Sequence, residues 1–396
     1  MSAGFGFTTT LAGAAVVLAA LAHVLFLRGR LPLPVALAVL VAKFALPVAY
    51  FAWMFDGTWT FIDDYTYLRV SRELLVEGLT PITVFAEPIN LLRLDSWSGV
   101  QFGYGWWNML AQYLIGPHYY APVLMNVALS CGSAAALYAL AREAGYQRGY
   151  AQALMVFFML HWEVLSWSSV LNMKDVLIFT LAPAALLLAV RMRRRFSIGR
   201  LLLLLVIAGI FLVIRPYSIV LIGGAVVGWS AMGGGADARR RLLRVVGTSV
   251  VAALLILPFV RPLVALAIYA FTTQVDLSPA RLLYNAVWFV LTPQPWSIGD
   301  DHGFLRISAV LHLVFLPFAT VGAVLLWRRG GVPRLLLYYF LLVLVLNMIA
   351  PQSVRHRLQA VFVVAWLQFH CLSVVVRAAV RGAVPRGHGL VPAAEA

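Results

Sequence analysis

Charged side chains are scarce in this chain. Only 11% of its 396 residues are Asp, Glu, Lys or Arg, while 62% are hydrophobic. Soluble globular domains carry about 25% charged residues, so this composition excludes a soluble fold. The apolar residues also form runs long enough for a helix to cross the hydrocarbon core of a bilayer, which takes about 20 residues. The composition therefore predicts an all-α polytopic membrane protein.

Cysteine and lysine are also rare. The two cysteines, Cys131 and Cys371, lie inside apolar runs and provide neither a disulfide framework nor the ligand spacing of a sulfur-bound metal. The two lysines are Lys43 and Lys174, so arginine supplies nearly all of the 30 basic residues. Together with abundant Ala, Val, Leu and Gly, this preference indicates a GC-rich bacterial genome.

The net charge of +15 does not predict a nucleic-acid partner. The arginines lie in short runs between apolar segments and form no basic stripe of the kind that follows a phosphate backbone. Membrane topology explains them, because cytoplasmic loops are enriched in basic residues. Placing the amino terminus outside puts 19 of the 30 basic residues in the cytoplasm with only three acids, Glu143, Asp237 and Glu395. The cytoplasmic arginines are then Arg28, Arg30, Arg142, Arg148, Arg191, Arg193, Arg194, Arg195, Arg200, Arg239, Arg240, Arg241, Arg244, Arg328, Arg329, Arg334, Arg377, Arg381 and Arg386.

About eleven segments have the length and hydropathy of transmembrane helices, and together they predict one transmembrane domain over residues 1–396. The predicted spans are 9–27, 33–55, 119–141, 149–166, 175–190, 200–214, 217–232, 245–260, 305–326, 334–350 and 358–378. Two long external segments, 56–118 and 261–304, contain only shorter helical stretches, Phe102–Ile115 and Ala280–Leu291, which are predicted to lie along the interface. The Gly/Pro/Ala-rich tail, 382–396, is predicted to be flexible. The predicted transmembrane spans and the bacterial composition together predict a location in the bacterial plasma membrane.

Ten basic residues lie on the outer side, where topology does not require them. They are Arg69, Arg72, Arg93, Lys174, Arg215, Arg261, Arg281, Arg306, Arg355 and Arg357. Twelve of the 15 acids lie on the same side. Charges near a membrane are energetically costly, so charges of both signs gathered at one end of a bundle are candidates for a functional site. That site is predicted to face the periplasm.

The strongest local signal is Asp63-Asp64-Tyr65-Thr66-Tyr67, which opens the amphipathic stretch Tyr65–Glu77 that Gly78 ends. A single acid suffices to cap a helix start and to complement its dipole. Two adjacent acids repel each other, which raises the apparent pKa of one and makes it a better proton acceptor near neutral pH. Asp63 and Asp64 are therefore candidates for catalysis.

This segment resembles the first external loop of the GT-C glycosyltransferases. These are polytopic enzymes that use polyprenyl-phosphate sugars and include the bacterial aminoarabinose and protein O-mannosyl transferases. The shared pattern is Asp63-Asp64-x-x-Tyr67, Ser71-Arg72-Glu73, Leu75 and Gly78, followed by Phe102–Gly145, which is similar to the family's interface helix and next span. The chain departs from the family at Ser98–Gly103, which lacks the Lys-Pro-Pro of many members, and it predicts no soluble carboxy-terminal domain.

The resemblance implies transfer of a sugar from a polyprenyl-phosphate carrier to an acceptor hydroxyl at the outer membrane interface. Asp63 takes the position of the family's catalytic acid and would accept the proton of the attacking hydroxyl. The implied partners are the lipid-linked donor, membrane lipid and an unidentified acceptor. No cofactor is firmly implied and no protein metal site is predicted, although Asp300-Asp301-His302 either binds a divalent cation or caps the following helix.

Seven residues are candidates for binding the substrate. They are Tyr67 of the motif and Lys174, Asp175, Arg215, Arg355, His356 and Arg357. Lys174 and the arginines are predicted to stabilise the departing lipid phosphate, to which a guanidinium offers bidentate contact. In the alternative interpretation, Asp175 is an ordinary helix-start acid and the Arg355–Arg357 trio snorkels to the headgroups.

Two rival functions stay open from the sequence. A lipid-linked polysaccharide polymerase or ligase would share the outer arginines but would not require the acid pair. A transporter or flippase would place polar groups near the bilayer midplane and often shows internal repeats.

Overall fold

The structure is a computed structural model, and it describes residues 2–57, 62–94, 102–232, 247, 277–298, 303–349 and 356–383. Across these residues the fold is all-α, with fifteen α-helices. The helices are α1 (Ser2–Ala22), α2 (Leu33–Ala49), α3 (Ile62–Val76), α4 (Pro88–Leu94), α5 (Phe102–Ile115), α6 (Tyr120–Glu143), α7 (Arg148–Met159), α8 (Trp162–Ser169), α9 (Asp175–Arg194), α10 (Ile198–Ile214), α11 (Tyr217–Met232), α12 (Pro279–Leu291), α13 (Phe304–Arg329), α14 (Val332–Ile349) and α15 (Val361–Ala383).

Among the described residues, seven helical segments are long and apolar enough to cross a membrane, as expected of a multi-pass membrane protein. They are Thr10–Leu27, Leu33–Met54, Tyr120–Glu143, Asp175–Arg194, Phe304–Arg329, Val332–Ile349 and Arg357–Val380, and each coincides with a predicted span. Two shorter apolar helices, Ile198–Ile214 and Tyr217–Ala231, match the predictions at 200–214 and 217–232. The predicted span 245–260, apart from residue 247, and the tail from residue 384 lie outside the described residues.

The predicted span 149–166 is wrong as one continuous helix. α7 ends at Met159, and α8 begins only after His161, whose backbone is extended. The last carbonyls of α7 lack helical partners, and Lys43 Nζ donates to the Met159 carbonyl at 3.4 Å. Lys43 is fully buried, and the negative end of the α7 dipole is a favourable place for its charge. This contact explains the lysine deep in the second span, for which the sequence offered no role.

Helices α6, α9 and α15 form the centre of the bundle. In their apolar segments 67%, 72% and 67% of the residues are buried, against 22% for α1 and 28% for α13. Membrane helices associate through close packing and polar contacts, because lipid is as apolar as the side chains themselves. One such contact joins α6 to α9, since Ser133 Oγ donates to the Phe179 carbonyl at 2.9 Å. Ser133 lies midway along α6 but Phe179 lies near the start of α9, so α9 begins deeper in the bundle than α6 does.

A glycine determines how closely α13 and α15 cross. A methyl group at Gly322 would overlap the main-chain carbonyl of Leu367, which cannot rotate aside. We expect Gly322→Ala to push the helices apart and to lower the free energy of unfolding by about 1–3 kcal/mol. Gly209→Ala on α10 is the matched control, because no atom of the described residues lies within 4 Å of its added methyl group. The stability of both variants is measured by the thermal unfolding midpoint. Equal midpoints for Gly322→Ala and Gly209→Ala would contradict the tight crossing of the two helices.

Arginines gather at one end of the bundle, where the turns between spans meet. Arg148 donates to the Gly29 carbonyl at 3.3 Å, which joins the α1–α2 turn to the start of α7. Arg191 pairs with Glu143 at 2.9 Å, which joins the ends of α9 and α6. The helix α3 with its acid pair lies at the opposite end. The two ends of the bundle are therefore chemically distinct, as the predicted topology requires.

Thiol labelling of intact cells tests the orientation of these ends. A cysteine placed at Ser96 or Ser297 is expected to react with a membrane-impermeant reagent, whereas one placed at Ala238 should be protected, because the predicted topology places the arginine-rich end in the cytoplasm. The natural thiols, Cys131 and Cys371, are both buried and should contribute little background. Labelling at Ala238 from outside would reverse the orientation and move the acid pair to the cytoplasm.

The shorter helices of the external segments form where the sequence predicts them. α5 has the predicted bounds, Phe102–Ile115. α12 starts at Pro279 with Ser278 in the N-cap position, although the Ser278 side chain makes no capping hydrogen bond. Proline is favourable there because its missing N–H falls among the unpaired donors of a helix start.

Candidate functional site

Helix α3 carries the Asp-Asp-x-x-Tyr motif. It begins at Ile62, three residues before the predicted stretch Tyr65–Glu77, so the acid pair lies inside the first helical turn. Gly78, whose φ is +86°, follows the helix as predicted, because glycine adopts this left-handed conformation without strain. The Leu79 N–H then donates to the Leu74 carbonyl at 3.0 Å, which closes the helix end.

Ser71 explains why the motif has a small residue before Arg72. Its side chain is fully buried and donates to the Tyr67 carbonyl at 2.7 Å. Gln112 of α5 donates to Ser71 Oγ at 2.5 Å and to the Leu68 carbonyl at 3.1 Å. These bonds hold α3 against α5 and fix the position of the turn that carries the acid pair.

Asp64 is held inside the bundle. It is 1% exposed, and its Oδ2 accepts a hydrogen bond from the Tyr119 hydroxyl at 2.9 Å. Burial and the Asp64 carboxylate both raise the pKa of Tyr119 well above its usual value, so this hydroxyl stays a donor. Asn172 donates to the Asp64 carbonyl at 3.2 Å. Asp63 lies in the same helical turn, and its side chain is outside the described part of the structure.

A buried network of amides lies beside Asp64. The Tyr104 hydroxyl donates to Asn172 Oδ1 at 2.6 Å, and Asn172 Nδ2 donates to Asn108 Oδ1 at 2.6 Å. Asn126 of α6 completes the network by donating to the Tyr104 hydroxyl at 3.0 Å. Polar groups without partners are costly in a low-dielectric interior, so these bonds fix α3, α5, α6 and the residues before α9 relative to one another.

Lys174 lies against the tyrosine of the motif. Its Nζ donates to the Tyr67 hydroxyl at 3.1 Å and is 5.7 Å from the centroid of the Tyr67 ring. Tyr67 is 4% exposed and packs edge-on against Tyr104, with 5.0 Å between ring centroids, whereas Lys174 is half-buried. Two predicted site residues that are 107 positions apart in the chain thus meet beside the acid pair.

Asp175 and Arg215 form a buried ion pair. Arg215 NH1 donates to Asp175 Oδ1 at 2.7 Å, and the two residues are 4% and 0% exposed. Asp175 is the first residue of α9, as expected of a helix-start acid, yet its carboxylate is bound to the guanidinium. Arg215 therefore has a structural partner that the sequence did not reveal. We call Asp64, Tyr67, Lys174, Asp175 and Arg215 the outer polar cluster.

Arg357 belongs to a second buried cluster. Its NH2 donates to Glu163 Oε1, and its NH1 contacts His312 Nε2. His312 Nδ1 lies 3.1 Å from the same carboxylate oxygen, outside hydrogen-bond geometry. Because Arg357 is only 5% exposed, it does not snorkel to the headgroups, which was the alternative to a phosphate role. We call Glu163, His312 and Arg357 the buried ion cluster.

Two other predicted substrate-binding residues are not placed by the structure. Arg355 and the side chain of His356 lie outside the described residues, as do Asp300, Asp301 and His302. In the described part of the chain, no group of three His, Cys, Asp or Glu side chains is arranged to hold a metal ion. The substrate-binding role of Arg355 and His356 and the cation role of the Asp-Asp-His stretch stay predictions.

Sequence reasoning missed Glu163, His312 and the amide network. A usable signal was present, because Glu163, His312 and Asn126 each fall inside a predicted span. Ionisable and amide side chains within membrane segments are candidates for function by default. Applied to every polar residue in a span, and not only to the outer loops, that rule would have found them.

The outer polar cluster joins α3, the start of α9 and the connection between α10 and α11. No family model, curated protein or solved structure matches this chain. Function must therefore be argued from the chemistry of the site. Arg215 and Asp175 balance each other, so Lys174 brings positive charge next to the tyrosine of the acid-pair motif. A cluster that combines carboxylates with a lysine suits proton transfer coupled to the binding of an anion.

Proposed function

We propose that this protein is a membrane glycosyltransferase of the GT-C type. It transfers a sugar from a polyprenyl-phosphate carrier to an acceptor hydroxyl at the outer end of the bundle. The observation that carries the proposal is the 3.1 Å contact between Lys174 and Tyr67. This contact brings a cation to the helix that carries Asp63 and Asp64, and the reaction requires both a proton acceptor and a cation for the phosphate.

The proposed reaction begins when the acceptor hydroxyl attacks the anomeric carbon of the donor sugar. The bond from that carbon to the phosphate oxygen breaks, and Asp63 takes the proton of the attacking hydroxyl. The polyprenyl phosphate leaves with the negative charge, which Lys174 stabilises. Asp64, bound by Tyr119 and Asn172, keeps the first turn of α3 in place.

The two buried arginines have different roles in this proposal. Arg215 uses NH1 on Asp175 and retains further N–H donors for a phosphate oxygen. Arg357 is balanced by Glu163, so we assign it to holding the chain before α15 and not to the donor phosphate. Arg355 keeps the phosphate role predicted from the sequence, and His356 keeps its predicted role in binding the substrate.

Lys174→Met is expected to reduce the catalytic efficiency of sugar transfer about ten- to hundredfold. The reason is the loss of a charged hydrogen bond to phosphate, worth roughly 1.5–3 kcal/mol. Lys174→Arg should retain more activity, because it keeps the charge. Arg281→Gln is the matched control, since it removes an exposed positive charge from the same side of the protein, outside the cluster. Equal efficiencies for Lys174→Met and Arg281→Gln would remove Lys174 from the phosphate site.

The lipid that co-purifies with the protein tests the proposed function directly. Mass spectrometry of an organic extract should find a polyprenyl monophosphate that carries one sugar. Incubation with that lipid should then release polyprenyl phosphate only when an acceptor is present. A diphosphate-linked oligosaccharide in the extract would favour the polymerase or ligase instead. Sugar transfer that continues without any polyprenyl-phosphate sugar would also exclude the proposal.

Transport is the second candidate, and the interruption between α7 and α8 favours it. Transporters form substrate sites from broken helices near the bilayer midplane. Here the break is capped by buried Lys43, and His161 at the break hydrogen-bonds Gln368 of α15 at 2.8 Å. In sealed vesicles a transporter would move a labelled lipid-linked sugar across the bilayer without consuming it, and a glycosyltransferase would not.

A further inference from the structure

Helices α3, α4 and α5 form a small subdomain at the end of the bundle that carries the acid pair. It has a hydrophobic core of its own, which consists of Leu74, Val84, Leu94 and Met109. The segment between α3 and α4 contains a short 3-10 helix, Thr83–Ala86, which contributes Val84 to this core. Trp106 of α5 holds that segment, because its Nε1 donates to the Pro81 carbonyl at 2.8 Å. The chain between α3 and α4 is therefore packed firmly against α5.

Helix α4 is apolar on two sides. Its inner side packs Leu91 and Leu94 into the core of the subdomain. Ile89 and Leu92 lie outside that core, and each of them is more than half exposed. The core of the subdomain therefore leaves an outward apolar side of α4 uncovered.

The short helix before α4 extends this outward side. It packs against α4, and of the residues at its start Ile82 is 83% exposed whereas Val84 is fully buried. Phe85 is also more than half exposed, and its ring contacts that of Trp106 with 6.2 Å between centroids. We call Ile82, Phe85, Ile89 and Leu92 the outer apolar face. Single exposed apolar side chains are ordinary, but a group of them marks a surface that binds a membrane or a protein.

The outer apolar face lies near the end of a membrane span. α5 packs between α4 and α10, and α10 is an apolar helix that matches a predicted span. A methyl group at Gly105 would overlap the carbonyl of Leu94, at the end of α4, and one at Gly103 would overlap Val213 in the last turn of α10. Only the start of α5 therefore separates the end of α4 from the end of α10. At that level of the bundle, the surface beside the protein is the boundary between headgroups and acyl chains.

We propose that the outer apolar face inserts into the membrane leaflet at this end of the bundle, which is the outer leaflet in the predicted topology. Interfacial helices bury their apolar side chains about 5–10 Å into the boundary between headgroups and acyl chains. Arg93, next to Leu92, donates to both carboxylate oxygens of Glu77 at the end of α3, at 2.7 and 2.5 Å. Insertion of the face therefore holds α3, with its acid pair, at the membrane surface. This anchoring does not depend on glycosyl transfer.

Fluorescence quenching in proteoliposomes tests the insertion. Bimane attached to Ile82→Cys or Ile89→Cys is expected to be quenched by phosphatidylcholine with brominated acyl chains and only weakly by iodide in the buffer. Bromine near the headgroup end of the chain should quench more than bromine near the methyl end, because an interfacial face does not reach the bilayer centre. The natural thiols, Cys131 and Cys371, are buried, and the wild-type protein measures their background.

Arg69→Cys is the matched control, because Arg69 is an exposed residue of α3 in the same subdomain. Its label should show the reverse preference, so the ratio of bromolipid quenching to iodide quenching should be about threefold or more lower than on the face. Equal ratios at Ile82, Ile89 and Arg69 would place the face in water and overturn the proposal.

Two further outcomes would also overturn it. Labels at Ile82 and Ile89 that neither quencher reaches would show that protein covers the face, either a second copy or a part of this chain outside the described residues. Stronger quenching by bromine at the methyl end would exclude an interfacial depth. The two positions are independent tests, since Ile82 precedes the short 3-10 helix and Ile89 lies in α4.

Discussion

Glu163→Gln is expected to lower the free energy of unfolding by about 3–5 kcal/mol, because it leaves the Arg357 guanidinium buried without a counter-charge. Glu163 and Arg357 are 1% and 5% exposed, so water does not replace the lost partner. Arg357→Gln is expected to cost a similar amount, since it leaves the carboxylate alone. The loss is measured by denaturant-induced unfolding of the purified protein in detergent micelles.

The double variant Glu163→Gln/Arg357→Gln separates the ion pair from general damage to the core. It removes both charges, so its loss of unfolding free energy should be smaller than the sum of the two single losses by about 0.5–3 kcal/mol. The exposed pair Arg69–Glu73, at 2.7 Å, is the control, and its double-mutant cycle should give almost no coupling. Strictly additive losses at Glu163 and Arg357 would contradict the buried ion cluster.

Asp63→Asn is expected to reduce sugar transfer by about 10²-fold or more while the amount of folded protein stays the same. Asparagine keeps the shape and hydrogen-bonding capacity of the side chain but cannot accept the proton of the attacking hydroxyl. Initial rates at saturating donor measure the effect. A rate within a few-fold of wild type would exclude Asp63 as the base.

Asp64→Asn is the internal comparison for that result. It should reduce transfer less, because an amide oxygen can still accept the Tyr119 hydrogen bond that holds Asp64 in the structure. Tyr119→Phe removes the donor of the same bond and leaves the buried Asp64 oxygen without it, so it should lower the thermal stability more than Asp64→Asn does. Equal and mild losses at Asp63 and Asp64 would mean that the acid pair is structural.

The prediction for the Glu163–Arg357 pair concerns an arginine to which the sequence assigned another role. Arg357 was predicted to bind the donor phosphate because it lies where topology does not require a basic residue. The structure pairs it with Glu163, which is 194 positions away in the chain. The sequence alone shows that membrane topology does not account for Arg357. It does not show which acid neutralises this arginine, because the acid is distant in the chain.

Local sequence predicted the acid-pair helix and its end correctly, apart from the first three residues of α3. Helix starts are ambiguous because their first N–H groups have no intrahelical partners, whereas Gly78 marks the end through its left-handed backbone. Lys174 was recognisable as one of two lysines in an arginine-rich chain. Its contact with Tyr67 depends on how α3 and α9 pack and was not predictable.

The amino-acid sequence by itself determined the membrane class, the positions of the long apolar helices and the segregation of arginines to one end. These properties follow from runs of hydrophobic side chains, whose transfer into hydrocarbon depends on local composition and not on neighbouring helices. Only the tertiary structure decided where α7 breaks, since residues Met159, Leu160 and His161 include no Gly or Pro. The break is stabilised because Lys43 from another helix donates to the buried carbonyl of Met159, at the end of α7. The ion pairs of Asp175 and Glu163 were decided in the same way, because a buried charge requires a partner in space wherever that partner lies in the chain.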